Sequence, residues 1–203
     1  MFASARIPGR LAAPFLACCL LAAASTVALA QAGSAMAPAK PAVGAPVPPA
    51  QVYGKLLTML ESEFVGAAEA MPEDKYNFAP TTAIGEFKGV RTFAQQVKHV
   101  AQANAYFFGG PNGAEADIKA KSDAIDKLTT KADIVKALKD SFAQAHAFVD
   151  GITPDNAFVT MPSGGTRGGM AAFGIAHFMD HYGQMVEYLR LNGIVPPASR
   201  GGM

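Results

Sequence analysis

The sequence predicts an all-α protein, a four-helix bundle. Three observations predict it. Four stretches of helical length carry apolar residues at spacings of three and four, the period of one helix face. Glycine- or proline-containing breaks separate them. No segment shows the sustained alternation of a half-buried strand.

Of the 203 residues, residues 1–30 read as a signal peptide rather than as part of the fold. Arg6 and Arg10 form a short basic region, and Leu11 to Leu29 is almost wholly apolar. Ala28-Leu29-Ala30 supplies the small-x-small pattern of a signal-peptidase site, with cleavage expected before Gln31. An uncleaved anchor is the alternative, because the apolar stretch approaches the roughly 20 residues that span a bilayer. Residues 31–50 are rich in Ala, Pro and Gly without periodicity, the composition of a disordered tether. Residues 51–199 are then the bundle, the size of one ordinary domain.

The first helix is expected from about Pro49 to Ala70, with Val52, Leu56, Leu57, Leu60, Phe64 and Ala67 on its apolar face and Met71-Pro72 closing it. A second runs from about Thr92 to Phe108, with Phe93, Val97, Val100, Asn104 and Phe107 on one face and Gly109-Gly110-Pro111 stopping it. A third covers about Lys131 to Val149 on Ile134, Val135, Leu138, Phe142, Ala145 and Phe148, and ends at Gly151. The fourth covers about Gly169 to Leu191, before Asn192-Gly193 and Pro196-Pro197. Two long connections, 73–91 and 151–168, interrupt the pattern, and 111–130 has room for an extra helical turn around Asp117 to Ala124. Met59, Met170, Met179 and Met185 read as core filling.

Composition removes several functions. Both cysteines, Cys18 and Cys19, lie in the leader, so the mature chain has neither a disulfide nor a thiol nucleophile. Cleavage takes Arg6 and Arg10, two of 17 basic residues, and leaves 15 against 16 acidic ones, a net charge of −1 with no basic run. No nucleic-acid footprint is present.

The chemistry is carried by histidines. His177 and His181 are one turn apart in an otherwise buried-looking helix, which places them on one face with Cβ atoms roughly 5–6 Å apart. Two imidazoles so placed can share a divalent ion, or can hydrogen-bond to backbone, Asp180 or Tyr182 as core residues. His99 borders the apolar stripe of Val97 and Val100 and so faces the bundle; His146 on the third helix has a similar claim to be the third ligand. Spacing leaves both choices open. Tyr106, Asp180, Tyr182 and Gln184 are candidates to support the ligands or contact a substrate, Asp180 or Gln184 by accepting a ring N–H. Gly164-Gly165 with Gly168-Gly169 lacks the lysine and preceding strand of a phosphate loop, and reads as a flexible loop near the site.

Three motifs, in order, carry a resemblance. His177-x3-His181-Tyr182-Gly183-Gln184 followed by Tyr188-Leu189-Arg190-Leu191-Asn192-Gly193-Ile194-Val195-Pro196-Pro197 resembles the C-terminal helix of the DinB/YfiT-like metalloenzyme family. Ala70 to Pro80 resembles the stretch after that family's first helix, and Phe93 to Asn104, with His99, its second helix and first ligand. The resemblance covers Val52 to Ala198 and implies a four-helix bundle whose ligands are His99, His177 and His181, leaving His146 as a helix-face residue. The chain departs from the family in having no Trp and in carrying Ala79 where an arginine is frequent.

Three neutral imidazoles leave a coordination position open, the arrangement of catalytic zinc. Imidazole suits zinc, nickel, copper and iron; the expected divalent ion is zinc or nickel, with its identity left open by the sequence. Relatives point by resemblance to thiol-dependent transferases and isomerases. The expectation is a periplasmic or secreted metal-binding protein that acts as a hydrolase or transferase on a small molecule, with a homodimer as an option and no membrane insertion once the leader is removed. A non-catalytic metal-binding or interaction bundle is the alternative, and a metal-free bundle the third.

Overall fold

The computed structural model describes residues 42–109, 115–162 and 164–201, so the signal-peptide reading and most of the tether lie outside the described residues. The described chain is all-helical: five helices and no strand, with one isolated antiparallel bridge between Thr160 and Thr166. They are α1 (Pro49–Ala70), α2 (Phe93–Phe108), α3 (Glu115–Asp126), α4 (Lys131–Asp150) and α5 (Arg167–Leu191). Helix α1 packs on α4 and α5, and so does α2, which also carries α3. Among the described residues no helix is long and apolar enough to cross a membrane.

Each helix begins and ends where its local chemistry dictates. Helix α1 opens with Pro49 in its first turn, where the missing N–H would have no partner anyway, so it takes in the last two residues expected of the tether. It stops because Met71, preceding Pro72, is extended. Its last carbonyls are then satisfied from outside: the buried Tyr76 hydroxyl donates to Ala68 O at 2.6 Å, and Lys131 Nζ donates to Glu69 O and Met71 O at 2.8 Å each. Helix α2 opens on a complete capping box, with Gln95 N donating to Thr92 Oγ1 and Thr92 N to Gln95 Oε1. Thr130 and Thr166 cap α4 and α5 in the same sense.

Helix α5 closes with a Schellman motif. Gly193 adopts φ +71, and the Ile194 and Gly193 N–H groups donate to Leu189 O and Arg190 O.

The core is drawn from α1, α2, α4 and α5. Leu57, Leu60 and Phe64 meet Phe93, Val97 and Val100, Ile134, Leu138 and Phe142, and Phe178, Met185 and Leu189, all fully buried. Phe142 bridges the layers, with its ring centroid 6.4 Å from Phe64 and 5.3 Å from Phe178. The sequence expectation needs three corrections. The extra turn is a full 12-residue helix, α3, with no buried residue. Val52 and Leu56, expected in the stripe of α1, are exposed because the line that faces the core runs through Tyr53, Leu57, Leu60 and Phe64 and leaves them to one side. Met170 and Met185 pack in the core, but Met59 and Met179 are exposed.

One close approach sets the geometry of the α2–α5 seam. A Cβ at Gly174 would stand 2.5 Å from the Phe108 ring, so only glycine lets α5 lie this near α2 at that level. His177 follows one turn later.

Candidate metal centre

Helix α2 supplies His99, and α5 supplies His177 and His181 one turn apart. Across the seam their ring centroids are 5.2 Å (His99 to His177), 4.6 Å (His99 to His181) and 4.5 Å (His177 to His181). One nitrogen from each lies within 4.8 Å of the others, so the three could hold a metal ion. Imidazole nitrogens about 2.0–2.1 Å from a common ion in a tetrahedral site stand about 3.4 Å apart. The rings would draw together around the ion on binding it.

The electrostatics suit neutral ligands. Burial drives the proton affinity of all three rings down, to about 4 for His99 and His181. The Arg91 charge adds to this at every ring; Asp180 opposes it at His177 and His181, and burial outweighs that opposition. All three therefore present free lone pairs at neutral pH, the state a metal requires.

The hydrogen bonds sort the nitrogens. His181 is 4 % exposed, and its Nδ1–H donates to Gln96 Oε1 at 2.7 Å. Gln96 Nε2 donates in turn to Gln184 Oε1 at 2.7 Å, and Gln184 Nε2 reaches Asp180 Oδ2 at 3.4 Å. The chain of amides holds His181 in the tautomer whose Nε2 is free, as an oxygen behind a metal-binding imidazole does. His177 Nε2 is buried with no hydrogen-bond partner among the described residues. A buried, unpartnered ring nitrogen costs about 1–3 kcal/mol, and a divalent ion between the rings would satisfy it. This donor set fits a metal. Phe107 walls the far side, its ring 5.4 Å from His177 and edge-on to it.

A cleft of about 590 Å³ opens beside the cluster, with Arg91, Gln96, His99 and Gln184 among its lining residues. The seam is thus reachable from solvent on the α2 side.

The other residues singled out in the sequence fall differently. His146 is not part of the cluster; its Nε2 is 2.8 Å from Glu61 Oε2 between α4 and α1. Asp180 and Gln184 belong to the support, but as the outer members of the amide chain. Tyr106 is exposed and stacks edge-on against Phe107 rather than on a histidine. Tyr182 is half-buried and packs against the core, where burial, and then the Glu63 carboxylate of α1, push its hydroxyl up. Gly164 and Gly165 form a turn before α5, and Gly168 and Gly169 lie in its first turn, about eight or nine residues and roughly 12–14 Å of helix from His177, too far to be a site loop. The residue missed is Gln96, 1 % exposed. Its signal was a polar side chain three residues after Phe93 and three before His99, inside the buried stripe of α2.

No curated protein matches the chain. The sequence pattern of one family, the DinB superfamily, matches residues 56–185, which include all three histidines and the whole amide chain behind them.

Proposed function

Because the chain belongs to the DinB superfamily, we propose that it is an exported divalent-metal protein with His99, His177 and His181 as its ligands. The unpartnered Nε2 of His177, buried beside two other neutral imidazoles, carries this reading. Helices α1, α2, α4 and α5 form the four-helix bundle in this proposal, with α3 an addition on the surface of α2. Ligands from two facing helices are how bundles build metal sites in their interior.

The residues of the chain divide the work. His99, His177 and His181 bind the ion; Gln96 orients His181, and Gln184 orients Gln96. Phe107 excludes water from one side, and the cleft beside His99 admits a small molecule on the other. When bound, a zinc or nickel ion supplies Lewis acidity, which polarises an oxygen or sulfur of that molecule. The reaction class is then a hydrolysis or a group transfer. The polar cleft that reaches the cluster at His99 favours this over a non-catalytic metal store, for which a closed site would suffice.

Element-specific metal analysis of full-length protein purified without an affinity tag tests the reading. Wild type should carry close to one ion per chain and His177→Ala background levels only. Equal trace metal in both would remove the metal centre from the account.

A further inference from the structure

Arg91 lies at the mouth of the same cleft, one residue before the cap of α2. Its backbone is fixed: the buried Tyr188 hydroxyl of α5 donates to Arg91 O at 2.9 Å, and the next N–H, that of Thr92, is held by Gln95. The segment is pinned further where Phe93 N donates to Phe78 O and Ala94 N to Tyr76 O. An arginine on such a base is displayed rather than trailing.

The other polar groups of the cleft are largely committed. Gln96 is spent on His181 and Gln184. Gln102 Nε2 donates to Ser122 O at 3.0 Å. Lys98 Nζ donates to Asp126 O at 2.7 Å and Leu128 O at 3.3 Å, and its charge is answered by the Asp126 carboxylate at 3.9 Å. Among the described residues no carboxylate lies within ion-pair distance of Arg91. A guanidinium brings five donors in a planar fork that matches a carboxylate or phosphate, and among the described residues nothing accepts from this one.

We propose that Arg91 is a ligand-binding residue that holds the oxyanion group of a small polar acid, placing the rest of that molecule against His99, His177 and His181. The ligand's second point of attachment rests on the proposed metal centre; the grip of Arg91 does not. Arg91 and His99 line the same cleft, so a molecule gripped by the guanidinium lies beside the cluster. The cleft is lined mainly by amides and charges, which suits a polar acid and not an apolar guest.

Calorimetric titration of wild type, Arg91→Ala and Arg91→Lys decides the matter, with succinate, inorganic phosphate and the neutral analogue succinamide as probes. The metal content of each sample is recorded. Wild type should bind an anion and not succinamide, with succinate preferred if the group is a carboxylate and phosphate preferred if it is a phosphate. Arg91→Ala should lose about tenfold or more of that affinity, the usual worth of a charge-assisted hydrogen bond. Arg91→Lys should recover part, since it keeps the charge without the fork. The proposal is overturned if Arg91→Ala binds the anions as wild type does, if succinamide binds as tightly as succinate, or if neither anion binds at millimolar concentration. Wild type lacking metal but showing Arg91-dependent anion binding would sink the metal reading alone.

Discussion

Two histidine environments in this protein differ in almost every physical respect. On the α1–α4 side His146 meets Glu61 at 2.8 Å, and both side chains are about three-tenths exposed. On the α2–α5 side His99, His177 and His181 crowd within a few ångströms of one another behind Phe107, with amides rather than carboxylates in direct contact. His146 has its partner and water besides. The cluster has three rings held neutral by burial and one nitrogen with no partner among the described residues. A histidine beside a partly exposed carboxylate is a finished interaction, whereas three neutral imidazoles around a common point present lone pairs that a Lewis acid could satisfy.

Removing the metal, and each side's histidine in turn, should break the comparison first. Chelation of wild type should lower its melting temperature by roughly 5–10 °C, because an ion at a hundredfold its Kd adds about 2.7 kcal/mol and a chain of this size moves about 2–4 °C per kcal/mol. His181→Ala should melt at the same temperature with and without chelator. His146→Ala should keep the full chelator response, and its loss there would erase the distinction.

The next effect concerns support. Gln96→Ala leaves the Nδ1–H of His181 buried without an acceptor, and should weaken metal affinity about 10- to 100-fold, as removal of an oxygen behind a ligand histidine does. Competition with a chelator of known affinity measures it. Glu61→Gln, the equivalent change behind His146, should leave metal affinity as it was.

Acid gives a third contrast. In metal-free protein the folded state of His99 and His181 takes up protons only near pH 4, whereas unfolded chains do so near 6.5. Stability from these rings is therefore complete above pH 6.5 and lost as pH falls toward 4. Thermal melts of metal-free wild type over that range should decline by several degrees, and His99→Leu should flatten the slope. An unchanged slope would mean that the rings are not buried as described.

The smallest effect belongs to the exposed pair. His146→Gln should cost no more than about 1 kcal/mol, the ceiling for half-exposed ion pairs, as read by urea denaturation.

Much of this was legible in the sequence, for reasons that can be named. Met71-Pro72, Gly109-Gly110-Pro111, Gly151 and Asn192-Gly193 are local signals, and the helices they bound start and stop within about two residues of expectation. Helix α3 was visible only as a turn because it buries nothing, so no apolar stripe announced it. The methionines of α1 and α5 misled for a related reason: Met59 and Met179 sit on helix faces that no other described element covers. His177 and His181 were legible as a pair from their spacing alone. The choice of His99 over His146 was not, since both border apolar stripes; it came from the resemblance, and its physical cause is that α2 meets α5 at the Gly174 gap while His146 faces α1. Gln96 was hidden because its partner is 85 positions away, on another helix.

X-ray absorption at the metal edge, on untagged full-length protein loaded with one equivalent of zinc, tests the central claim most directly. About three imidazole ligands at 2.0–2.1 Å are expected, falling to two in His177→Ala. A shell of oxygens without imidazole, or a spectrum unchanged in His177→Ala, would contradict it.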